Sequence, residues 1–138
     1  MGLTVLDAGV VIGWLDDDDE HHGASTEALD RARDRGERFA LPVNALAECL
    51  VGPSRLAQSA VERVRTRIAA VPMSTIPAGE EVAVEAAALR AQFRSQLRLP
   101  DALVVATAIV LDADRLITTD RGWPHEAALG FDGEIEVL

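Results

Sequence analysis

Short apolar runs alternate along this chain with longer stretches whose apolar positions recur every three or four residues. Leu3–Leu6 reads as a buried strand, followed at once by the apolar segment Ala8–Leu15, a helix. Ala24–Glu37 has Ala28, Leu29 and Ala32 at helical spacing, and Gly36 closes it. Phe39-Ala40-Leu41 is a second strand, stopped by Pro42. A helix through Ala45–Leu50 then ends at Gly52-Pro53, and another runs from about Ser54 to Ala69, with Leu56, Ala60, Val61, Val64 and Ile68 on one stripe. Ala70–Ile76 is a third strand, which Pro72 moves towards a sheet edge. The longest helix is expected over Ala78–Gln96, where Val82, Ala86, Leu89 and Phe93 recur at helical spacing. Pro100-Asp101 opens a helix whose following residues, Ala102–Leu111, are apolar all round, so it is buried on most sides. Strands Arg115–Thr118 and Glu134–Val137 complete the alternation, which implies an α/β sandwich with a mostly parallel sheet of four or five strands.

Composition narrows the core and the compartment. Hydrophobic residues make up 49% of the 138, yet aromatics only 4%, so the core must be aliphatic. A single cysteine, Cys49, forms no internal disulfide, which fits a reducing compartment. Met1–Leu15 has no basic leader and Asp7 interrupts its apolar run, and the Ala102–Leu111 stretch is about half of what a bilayer requires. The expectation is a cytoplasmic protein with no membrane segment. Every basic side chain is arginine. Without lysine, Schiff-base chemistry and a lysine-bearing phosphate loop are excluded. The net charge of −10 argues against nucleic-acid binding through broad electrostatics, though not against a specific site where metal neutralises the acids.

Four carboxylates stand where an apolar run meets a turn or a helix start: Asp7, Glu48, Asp101 and Asp120. In an alternating strand–helix chain such positions gather on one edge of the sheet. Anions brought together there either take up protons or bind a hard divalent cation. Singly, each has an ordinary explanation. Asp7 and Asp101 suit helix caps, and Asp120 suits a turn before Gly122. Glu48 is harder to dismiss, lying mid-helix in a segment too apolar for a surface helix. It needs either a thin exposed face or a buried partner.

The opening Leu6-Asp7-Ala8, the Ala47-Glu48 helix after Pro42, the segment Arg98–Leu103 with Ala106-Thr107-Ala108 behind it, and Ile117-Thr118-Thr119-Asp120 together resemble the PIN-domain ribonucleases. Within them the likeness is to the VapC-type toxins of bacterial toxin–antitoxin pairs. It spans nearly the whole chain, which implies one PIN-like domain over 1–138, a three-layer α/β/α sandwich. The resemblance further implies an endoribonuclease dependent on Mg²⁺ or Mn²⁺, with Asp7, Asp101 and Asp120 as metal ligands. Glu48 is a ligand or a water-orienting base, and the Thr118 hydroxyl supports the set. Ions held by oxygen ligands activate water and neutralise phosphate charge, so no histidine or lysine base is needed. A cognate antitoxin and a homodimer, the latter over the apolar face of the Ser54–Ala69 helix, are implied as partners. Many relatives carry Ser, Thr or Asn two residues after the first aspartate; here that position is Gly9.

Other constellations carry less. His21 and His22 are neighbours and point apart, so they do not share an ion. The acidic run Asp16–Glu20 fits no calcium loop: begun at Asp16 the glycine position is His21, and begun at Asp18 the closing glutamate position is Leu29. A solvated helix cap is its plainer reading. Arg90, Arg94 and Arg98, spaced by four, read as one helical stripe leading to Asp101. It is either a face paired with Glu80, Glu81 and Glu85 or an RNA-phosphate track. Two rivals stand beside the nuclease: a non-catalytic partner-binding module of the same fold, and a magnesium-dependent phosphatase. The phosphatase lacks its usual second aspartate at position 9.

Overall fold

The computed structural model describes residues 2–138. The chain begins with β1 (Leu3–Leu6), α1 (Ala8–Leu15), α2 (His22–Asp34), β2 (Arg38–Pro42), α3 (Val43–Leu56), α4 (Gln58–Ala69) and β3 (Met73–Ile76). It continues with α5 (Glu80–Phe93), a 3-10 turn (Arg94–Gln96), α6 (Leu99–Val110), β4 (Arg115–Thr118), α7 (Glu126–Leu129) and β5 (Glu134–Val137). All pairings are parallel and the order is β3-β2-β1-β4-β5, which puts β3 on the expected edge. Right-handed crossovers lay the helices before β3 on one face and those after it on the other. Among the described residues no helix is long and apolar enough to cross a membrane.

The order of the strands decides where a site can form. The chain builds outward from β1 through β2 to β3, then returns to the other side of β1 for β4 and β5. Between β1 and β4 the direction of winding reverses, and a crevice opens beyond the carboxyl ends of those two strands. The strands that frame it are dry: Val5, Leu6, Leu116 and Ile117 are fully buried. So is most of α6, where Ala102, Val104, Val105, Ala106 and Ala108 leave almost no surface, as its all-round apolar sequence requires.

Several boundaries differ from the sequence reading. Gly52-Pro53 does not end the third helix, which runs on to Leu56 before Ala57 turns extended at φ −170°. Proline's own φ is helical, so it forfeits one bond in the preceding turn without forcing a stop. Ser54 therefore belongs to α3, and α4 starts later, at Gln58. The second half of α3 lies on the surface, with Val51 and Leu56 exposed, so its apolar character does not mark it as buried. The helix expected to be the longest stops at Phe93 and, at 14 residues, only equals α3. Arg94 takes a left-handed φ of 51° and Leu97 turns inward to full burial. Arg98 follows as the extended N-cap of α6. The Arg90–Arg94–Arg98 stripe is thus broken at its middle residue. The acidic run caps no helix N-terminus either: Asp16 closes α1 as its C-cap, and Asp16 and Asp19 accept the backbone N–H of Asp18 and His21, which folds the segment as successive turns.

Candidate functional site

Asp7 follows β1 directly and is the N-cap of α1, its Oδ1 accepting the Ala8 N–H at 2.9 Å. Its other oxygen accepts a hydrogen bond from the Thr118 hydroxyl at 2.8 Å, across the crevice from β4. That hydroxyl in turn accepts the Asp120 N–H at 3.0 Å, so Thr118 ties Asp7 to the loop carrying Asp120. Asp120 accepts the Gly122 N–H at 2.8 Å, the expected turn contact. Asp101 lies in the first turn of α6; the cap itself is Arg98, which corrects the capping alternative for Asp101. Glu48 projects from the exposed face of α3, at its edge beside buried Ala45 and Cys49. Asn44, one turn before Glu48, donates to the Pro100 carbonyl at 3.1 Å and so clasps α3 to the start of α6.

The four groups lie within electrostatic reach of one another through Asp101. Burial pushes the Asp7 carboxyl up to about 6, against two hydrogen bonds that favour its charged form, and Asp101 and Glu48 add repulsion. Glu48 is raised by partial burial and then by Asp101, with Arg98 opposing. Asp101 is raised by burial and by Asp120, while Arg98 and the Trp123 indole act to lower it. Asp101 is therefore the hub, coupled to each of the other three acids. Arg98 is the one arginine of the expected track that reaches them.

The donor set is all hard oxygen. The nearby Cys49 thiol is pushed up to about 12 by burial and by Glu48 and Asp7, so it offers no thiolate. His21 and His22 are turned towards Asp19, Glu20, Asp17 and the Gly13 carbonyl, apart from one another as expected. Such a set fits a hard divalent cation in chemistry. Among the described residues it is an open arrangement, with no three carboxylate, imidazole or thiol side chains already drawn round one point.

Three neighbours escaped the reading of the sequence. A Cβ placed on Gly9 would overlap the Thr119 hydroxyl, so a threonine from the β4 end fills the side-chain space at position 9. The Trp123 N–H is buried beside Asp101 without an acceptor at full hydrogen-bond geometry. Asn44 carries a buried, unpartnered Oδ1 as well as its clasp. The adjacency of Thr119 and Trp123 to Asp120 was the only available signal. Beside Glu48 runs an apolar groove of about 830 Å³ between α1, α3 and α4, with Ile12, Leu15, Val51, Leu56 and Val64 on its walls. Arg67 bridges the groove by stacking 5.1 Å over Trp14 and donating to the Leu15 carbonyl.

Comparison with known proteins agrees with this architecture. A toxin–antitoxin VapBC family member from Mycobacterium tuberculosis superposes with a TM-score of 0.60 at 27% identity, over 100% of this chain and 98% of that one. A toxin–antitoxin complex from Klebsiella pneumoniae gives 0.67 at 23% identity, covering 85% and 86%. VapBC2 from Rickettsia felis, bound to a DNA fragment from its promoter, gives 0.71 at 15% identity, covering 98% of each. No curated protein matches the sequence. The family profile of the PIN domain matches residues 4–128, nine tenths of the chain, and the chain belongs to the PIN-domain family.

Proposed function

We propose that this protein is a metal-dependent endoribonuclease and the toxin of a toxin–antitoxin pair. The observation that carries the reading is the meeting of Asp7, Glu48, Asp101 and Asp120 at the β1–β4 crevice, with Asp101 in the field of the other three. Asp7, Asp101 and Asp120 would hold Mg²⁺ or Mn²⁺, and Glu48 would be a further ligand or the base that orients water. When bound, the ion supplies an activated water and charge neutralisation at the scissile phosphate. Thr118 fixes the rotamer of Asp7 and keeps one of its oxygens engaged. Arg98, whose charge acts on Glu48 and Asp101, would take the substrate phosphate and so offset the net charge of −10 locally. Arg90 and Arg94 would serve the RNA farther from the acids.

The antitoxin belongs to the same proposal. The solved relatives are toxin–antitoxin complexes, and the apolar groove of this chain opens directly beside Glu48. An apolar segment seated there could carry a basic residue to the carboxylates, an association that weakens as salt rises. A homodimer is proposed with less surface to draw on, because Ala60 and Ile68 of α4 are buried and Val64 lines the groove.

The test is cleavage of a panel of structured RNAs with and without Mg²⁺, repeated after co-expression with the neighbouring open reading frame. Metal-dependent cleavage silenced by a copurifying neighbour supports the proposal. Absence of cleavage with an intact fold leaves the non-catalytic binding module as the account. Cleavage that no neighbour silences makes the protein a stand-alone RNA-processing enzyme.

A further inference from the structure

Gly9 lies in the first turn of α1, where its backbone is ordinary; the glycines with positive φ are Gly36 and Gly130. Nothing in the backbone asks for glycine there, and in a helix glycine is less favourable than alanine. What excludes a side chain is Thr119, whose hydroxyl stands where a Cβ on Gly9 would be. Thr119 is the residue between Thr118, which donates to Asp7, and Asp120. It is half-buried, and among the described residues its hydroxyl makes no hydrogen bond to protein. An unengaged hydroxyl is thus wedged into the first turn after Asp7, on the loop that carries Asp120.

We propose that Thr119 is a positioning residue of the acidic site. Its hydroxyl, seated in the space that Gly9 leaves open, makes the polar contact that orders a water or ligand between Asp7 and Asp120. Gly9 and Thr119 act as one unit: the missing side chain on α1 lets the β4 end approach, and the Thr119 hydroxyl takes up the room that a side chain at position 9 would need. This rests on the metal-dependent reading above.

Two arms test it. The first is titration of the metal-free protein with Mn²⁺, followed by calorimetry. Thr119→Val keeps the branched shape and removes only the hydroxyl, so it should weaken Mn²⁺ binding about tenfold while leaving the metal-free melting temperature unchanged. Thr119→Ser should keep the affinity of the wild type. Wild-type binding together with an unaffected Thr119→Val overturns this proposal alone. A wild-type protein that binds no Mn²⁺ overturns the metal reading and this proposal with it. The second arm is steric and needs no metal. Gly9→Ala should lower the melting temperature, against the usual gain for glycine to alanine in a helix, and the loss should vanish in a Thr119→Ala background. A rise in melting temperature for Gly9→Ala with Thr119 intact overturns the pairing.

Discussion

The two ends of one sheet treat their carboxylates in opposite ways. Towards the amino ends of the strands, Glu37 accepts from Arg35 at 2.9 Å and from the buried Thr4 hydroxyl at 2.6 Å. Close by, Glu136 is shared by Arg31 at 2.7 Å and Arg115 at 3.1 Å. Burial pushes Glu37 up, but its arginine and hydroxyl partners outweigh that and hold it below the usual carboxylate range. At the carboxyl ends, Asp7, Glu48 and Asp101 are all raised; Arg98 opposes the shift of Glu48 and Asp101, and only hydrogen bonds from Thr118 and Ala8 oppose that of Asp7. Both ends use the same residue types over the same dry strands, so burial alone does not set the difference. What differs is the supply of partners. One end is neutralised within the fold and serves stability. The other keeps charge that the fold only partly offsets, which costs stability.

The sharpest way to break this comparison is at the hub. Asp101→Asn should leave the fold intact and reduce RNA cleavage to background, because it removes the charge coupled to all three other acids; wild-type rates in this variant would end the assignment.

Next in size is the pH dependence of the metal-free protein. Asp7 has a folded pKa of about 6 against an ordinary 3.8, so between those values the folded state holds the proton more firmly than the unfolded state. Stability contributed by that proton is fully present below about pH 4 and lost as pH rises through 6, a loss of about 3 kcal/mol. Chemical denaturation from pH 4.5 to 7.5 should show stability falling as pH rises across this window; a flat or rising profile contradicts the buried, repelled Asp7.

Smaller, and opposite in sign at the two ends, are the charge-removing substitutions. Asp7→Asn keeps a capping side chain and should raise the metal-free melting temperature at pH 7 by roughly 3–6 °C. Glu37→Gln should lower it by roughly 3 °C, since it weakens bonds to Arg35 and Thr4. Shifts of the same sign in a melting scan would erase the distinction between the ends. Millimolar Mg²⁺ should stabilise the wild type by about 1.4 kcal/mol for a concentration tenfold above its dissociation constant, and this shift should disappear in Asp7→Asn.

The strands were the most legible part of the fold. Leu3–Leu6, Arg115–Thr118 and Glu134–Val137 stand where their apolar and β-branched residues placed them. Helix ends were less so. Arg94 gave no local sign of a left-handed turn; it is set by Leu97, which must reach the core before α6 can begin. Pro53 gave a false sign, because its φ suits the helix it was expected to end. Within the site, the four acids were visible as residues at seams, while Thr118 entered only as the supporting hydroxyl that the family resemblance implied, with no partner named. Arg98 was visible as the start of the Arg98–Leu103 segment and as a member of a stripe that the fold does not build.

The sequence by itself determined the alternation of strands and helices, the aliphatic core, the absence of any amine chemistry, and acids one to a seam. These are local properties, written in periodicity and residue type, and they survive any rearrangement of the elements. The tertiary structure alone decided that the winding reverses between β1 and β4, so that Asp7 and Thr118 share a crevice. It also decided that Asp101 lies in the electrostatic reach of three other carboxylates, that Glu37 finds Arg35 and Thr4 instead, and that Thr119 packs against Gly9. Each of those depends on burial and on contacts between residues far apart in sequence. Charge state and steric fit are set by the neighbours that packing supplies, and the chain order does not name them.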